Sequence, residues 1–178
     1  MPEPIPVVLA PHSADWASGA HREADRLAAA LGENLIEIHH IGSTSIPGIR
    51  AKPILDLMPI VRDLAELDAA EARLAEIGYE WWGEFGISGR RYCTFTDCAT
   101  GERRVQLHCY QSENPEIEKH LAFRDYLRAH PEIARAYEAE KLRCQALHPN
   151  NTHTYSDAKS PWIRAQLAAA LAFYRSVR

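Results

Sequence analysis

The pairing in this 178-residue chain that could do chemistry is a glycine-serine turn followed, fourteen residues on, by one carboxylate in an apolar run. Gly42, Ser43 and Thr44 come after a stretch in which Leu35, Ile36, Ile38 and Ile41 read as a buried strand, so the turn falls where the chain leaves a sheet. Glycine lets the backbone approach a phosphate, and the two hydroxyls with the amides that follow can hold phosphate oxygens. By itself such a string is more often a plain turn or a helix cap. Asp56, the single charge between Ile54 and Val61, changes that reading. A carboxylate in an apolar run is costly to bury unless a cation meets it, and a divalent metal carrying a triphosphate would be such a cation.

Other residues could supply bases and positive charge. His108 lies in the apolar run Val105 to Tyr110, where a lone histidine is usually structural but can serve as metal ligand or general base. His40 could donate to a phosphate or hold the turn, with His39 facing the other way if the strand runs through both. A triphosphate also needs cations. Lys52 stands between turn and strand, Arg90 and Arg91 follow a glycine-rich bend, and Lys159 precedes much of the last helix. Taken singly, each reads as a solvated surface charge. Arg124 beside Asp125 reads as a helix-surface ion pair, and His148 and His153 fall in a polar loop.

These groups must be positioned by helices and short strands. Ser13 reads as a cap for a helix with the stripe Trp16, Ala20, Ala24, Leu27 and Leu31, which Gly32 ends. Asp63 caps a second, carrying Leu64, Leu67, Leu74 and Ile77. Apolar and aromatic runs at Tyr79 to Trp82, Arg90 to Thr96 and Val105 to Tyr110 read as strands. Beyond Asn114 the chain is helical, with Pro115 and Pro131 each at a first helical position and Ser156 or Ser160 capping a last helix striped by Ile163, Leu167, Leu171 and Tyr174.

Composition narrows the function classes. A 46% hydrophobic content is enough for a sizeable core. The net charge of −4 argues against general binding to nucleic acid or anionic membranes. No run reaches the roughly 18 apolar residues of a membrane span, and the Met1 to Pro6 segment lacks the features of a signal peptide, so the expected location is cytoplasmic. Cys93, Cys98, Cys109 and Cys144 form no Cys-x-x-Cys pair and read as reduced thiols. A zinc site from Cys93, Cys98 and His108 matches no common spacing.

The wording from His40 to Leu57, with the Trp16-containing helix, Gly89 to Tyr92, Gln106 to His108, Phe123 to Arg128 and Tyr155 to Lys159, resembles the GrpB-like family over most of the chain. That family is placed in the nucleotidyltransferase superfamily, with a fold like the palm of DNA polymerase beta. The resemblance implies an α/β (α+β) fold in one domain over residues 1–178: a mixed sheet flanked by helices, with a helical C-terminal portion. It also implies that Gly42, Ser43 and Thr44 hold the phosphates of ATP or another nucleoside triphosphate. Asp56 would bind Mg2+, His108 would act as ligand or base, and Lys52, Arg91 and Lys159 would neutralise phosphate charge.

The chain departs from the superfamily at two places. The second acid usually found two residues after the first is Met58 here, and the strand that normally brings a third carboxylate offers Gln106 and His108. The leading expectation is transfer of a nucleoside monophosphate, AMP from ATP, to an acceptor that no motif encodes. Its competitor is a non-catalytic nucleotide or phosphate-ligand module that keeps the cleft, which Met58 favours. A metal-dependent hydrolase built on His108 is a weaker third, because its strand lacks a histidine pair. Nothing in the pattern specifies an oligomeric state.

Overall fold

The computed structural model of the chain describes residues 2–178. Five strands form one sheet in the order β1-β2-β5-β4-β3: β1 (Leu35–Ile41), β2 (Leu55–Val61), β3 (Tyr79–Trp81), β4 (Arg90–Thr96) and β5 (Arg103–Gln111). Only β2 and β5 run parallel, so the sheet is mixed. β2 is buried on both faces, which explains its nearly unbroken apolar run. Leu57 and Val61 point to one side, against α1 (Asp15–Leu31), α2 (Leu64–Ala69) and α3 (Glu71–Glu76), where Leu27, Leu31, Leu67 and Leu74 meet them. Met58 and Ile60 point to the other, against Leu121 of α4 (Pro115–Ala129) and Tyr174 of α6 (Thr152–Ser176). α5 (Pro131–Leu147) joins this second layer, with Tyr137 packed among Ile46, Ile49 and Leu127.

Several local expectations change. Ile36 is exposed, because β1 is an edge strand whose register shifts between Leu35 and Glu37 and leaves Ile36 out of the ladder. The helix after Asp63 is two short ones meeting at Ala70, although Asp63 does cap the first by accepting from the amides of Ala65 and Glu66. Neither Ser156 nor Ser160 caps the last helix. Asn151 does, accepting from His153 and Thr154, and α6 then runs through Pro161. His153 is therefore in the first helical turn instead of a loop. Asn114 and both helix-starting prolines stand as expected. Cys93, Cys109 and Cys144 are buried free thiols and Cys98 is exposed; Cys93 points to the α1 side of the sheet and His108 away from it, so they make no common site.

Candidate functional site

Strand pairing brings the two central residues together. Asp56 lies opposite Gln106 in the parallel β2–β5 ladder, and both face the α4–α6 layer with His108. His108 Nε2 stands 3.3 Å from Asp56 Oδ1, and the Asp56 side chain keeps 26% of its exposure. Gly42 closes on the same carboxylate, at φ +69° and ψ −173°. After it comes a single tight turn, Ser43–Ser45, in which the Ser45 hydroxyl donates to the Gly42 carbonyl at 2.7 Å. Arg128 donates to the Ser45 carbonyl at 2.9 Å, tying the turn to α4. Asp56 and Ser43 open into one cavity of about 360 Å³.

Lys52 and Lys159 reach this cavity from the approach to β2 and from α6, with amines 5.7 and 4.9 Å from the centroid of the Tyr155 ring. Lys141 of α5 joins them, buried, with its amine 4.9 Å from the Tyr137 ring and donating to the Arg50 carbonyl. Burial lowers the Lys52 amine to about 8, helped by repulsion from Lys159 and opposed by Asp56. Burial, then Lys159, lowers Lys141 to about 7, and burial lowers Lys159 as well. Desolvation pushes the Asp56 carboxyl up, but the hydrogen bond with His108 and the positive charges of Lys52 and Lys159 hold it below the usual range. Asp56 thus faces Lys52 and Lys159, and burial leaves all three amines short of counter-charge. An entering polyanion would supply it.

Three expected roles are relocated. Arg91 is not in the cavity: it lies on the α2–α3 side of the sheet, with Nε 2.5 Å from Asp68 Oδ1, because strand alternation turns it away from Tyr92 and His108. His40 pairs with Leu57 on the α1 side, so it supports the turn from behind, with Nε2 2.9 Å from Thr44 Oγ1. Burial lowers its pKa to about 4. Arg124 does pair with Asp125, but it also lines the cavity and donates to the His40 carbonyl.

Sequence reasoning missed Lys141, Tyr137 and His120, all of which line the cavity. A signal existed for two of them. Ala134, Tyr137, Lys141 and Cys144 form the buried stripe of α5 at spacings of three and four, and a lysine inside such a stripe needs an explanation. His120 sits with its ring 5.6 Å from that of His108, and burial, then the His108 charge, lowers its pKa to about 3.

The donor set does not build a resident metal centre. No group of three metal-ligating side chains occurs among the described residues. Met58 is fully buried in the apolar layer, and Gln106 takes the place beside Asp56. A magnesium ion here would have Asp56 as a ligand, while Glu116, the other carboxylate of the cavity wall, is held by Lys119 at 2.5 Å.

The fold is that of nucleotidyltransferases. The Cid1 poly(U) polymerase, in a crystal structure with MgGTP, superimposes with a TM-score of 0.54 at 13% identity, over 76% of this chain and 44% of that one. Within that class, the family model described as "GrpB protein" matches residues 6–169, and the chain belongs to the GrpB family. A crystal structure of the conserved protein GrpB from Enterococcus faecalis aligns with a TM-score of 0.87 and 38% identity, over 94% of this chain and 99% of that one. The UPF0157 protein YqkA of Bacillus subtilis is 42% identical over 84% of this chain, which spans 43% of that protein's length. The glutamate-rich protein GrpB of Alkalihalophilus pseudofirmus is 32% identical over 88% of this chain and 91% of its own. No helix among the described residues is long and apolar enough to cross a membrane.

Proposed function

We propose that the cavity binds a nucleoside triphosphate, with its phosphates against Gly42, Ser43 and Thr44 and the amines of Lys52, Lys141 and Lys159, and that the protein transfers a nucleoside monophosphate, AMP from ATP, to an acceptor. The observation that carries this reading is the close approach of the Gly42 turn to Asp56 within a cavity lined by Lys52, Lys141 and Lys159. In the transfer, a nucleophilic atom of the acceptor bonds to the α-phosphorus and the bond to the pyrophosphate oxygen breaks. Pyrophosphate leaves, and the acceptor's proton passes to His108, whose Nδ1 is buried without a partner. Magnesium enters as part of the nucleotide substrate, and no step is assigned to it.

A second reading, binding without transfer, is favoured by Met58 and Gln106 standing where acids would be. Calorimetry with ATP and adenosine, with and without Mg2+, tests the shared part: ATP is expected to bind at least tenfold more tightly, and equal weak binding overturns both readings. Asp56→Asn separates them. It is expected to cost about 1 to 2 kcal/mol of stability through the lost charged hydrogen bond. It should also remove the magnesium-dependent part of ATP binding and abolish pyrophosphate release from ATP incubated with a metabolite extract. Wild-type protein that binds ATP but releases no pyrophosphate favours the binding module.

A further inference from the structure

Beside the nucleotide cavity lies a second one of about 330 Å³, with Phe85, Tyr92, Arg103, His153 and Asp157 on its walls. The two cavities share Lys52, Gln106 and Ser156. Gln106 is the residue beside Asp56 in the ladder, so the second cavity adjoins the Asp56 end of the first.

Arg103 owes its place there to a bulge. Phe95 faces Val105 but Thr96 faces Arg103, so one step along β4 matches two along β5. The extra residue reverses the alternation of side chains. Regular pairing would send Arg103 to the side of Val105 and Leu107; the bulge brings it round to the side of Tyr92 and Gln106. Its neighbour Arg104 is held by Glu102 at 2.8 Å and Asp97 at 3.9 Å. Arg103 forms no ion pair among the described residues, and its Nε is buried with no hydrogen-bond partner. Even Asp157, on the same wall, does not reach it.

An unmatched guanidinium N–H out of water is unfavourable, and its planar fork suits two oxygens of a carboxylate or phosphate. Next to it is an aromatic wall, where Phe85 stacks on Tyr92 at 5.0 Å and 14°, the Arg90 guanidinium lies 5.8 and 5.0 Å from the two rings, and His153 meets Phe85 edge-on at 6.4 Å. We infer that this second cavity is the acceptor subsite, taking a small molecule whose carboxylate or phosphate lies against Arg103 and whose apolar or planar body lies on Phe85 and Tyr92. The inference rests on the nucleotide reading of the first cavity. The acceptor's nucleophilic end passes Gln106 and Ser156 to reach the α-phosphorus, with pyrophosphate leaving on the opposite side.

Titration of the ¹⁵N-labelled protein, saturated with α,β-methylene-ATP, whose bridging carbon blocks loss of the pyrophosphate group, tests it with three probes: benzoate, phenyl phosphate and neutral benzyl alcohol. Benzoate or phenyl phosphate is expected to shift the amides of Phe85, Arg103 and His153, and which of the two binds more tightly identifies the acidic group. Arg103→Gln should weaken that probe at least tenfold, Arg103→Lys less, and α,β-methylene-ATP affinity should stay within twofold in both. Equal binding of benzyl alcohol, no shift with either anion, or binding indifferent to Arg103→Gln overturns the subsite and leaves the nucleotide reading standing. Wild-type protein that fails to bind α,β-methylene-ATP overturns the nucleotide reading, and the acceptor role with it.

Discussion

A methyl group built on Gly42 would lie 2.3 Å from Asp56 Oδ2 and 2.9 Å from its Cβ, in a backbone conformation that residues with a side chain rarely adopt. Two requirements thus meet at one atom: the turn needs that φ and ψ, and the carboxylate needs the space. Gly42→Ala is expected to destabilise the protein by about 1 to 3 kcal/mol from backbone strain. It should also push Asp56 off His108 and lower ATP affinity at least tenfold. Thermal melts and calorimetry read the two effects separately. An unchanged affinity with a lowered melting temperature would mean that the turn holds the sheet together and no phosphate.

Among the elements, α6 carries most of the cavity's far wall. Its first two turns place Tyr155, Ser156 and Lys159 on one side, and its start is set by the Asn151 side chain. Asn151→Ala should cost about 1 kcal/mol and weaken ATP several-fold by loosening Lys159, as melts and titrations would show; Asn151→Asp, which keeps the acceptor oxygen, should restore both. Capping chemistry was legible at Asp63 but misplaced here, because Ser156 and Ser160 are equally good cap residues and Pro161 looks like a first helical position. In the structure Pro161 sits inside the helix, and the Ser160 hydroxyl donates to the Ser156 carbonyl at 2.8 Å. Gly42 and Asp56 could be paired from the chain because only fourteen residues separate them. Arg91 could not be excluded in the same way, since the side of the sheet it faces depends on strand parity that a row of polar and aromatic residues does not reveal. Arg103 was invisible for a related reason: a bulge has no composition of its own.

Across the molecule, the buried amines link ligand and proton. Lys52 and Lys141 have their pKa lowered to about 8 and about 7 from the ordinary 10.5. Between those limits the unfolded chain binds more protons than the folded one, so the ligand-free protein should gain stability as pH rises from about 7 to about 9. The stabilisation by ATP should run the other way, because the charge that meets the phosphates is lost over the same range. Melts across that window, with and without ATP, are expected to converge, and parallel curves would remove the lysines from the site. The strand order has a further consequence, during synthesis on the ribosome. β5 enters between β2 and β4, and Asp56 finds its ladder partner fifty residues later in the chain, at Gln106. Until that segment emerges, β2, apolar on both faces, presents one unpaired edge. Such long-range parallel pairing closes slowly and leaves a sticky intermediate. The pairing of Asp56 with Gln106 and His108, built across this last seam, comes into being only when the nascent protein leaves its most aggregation-prone stage.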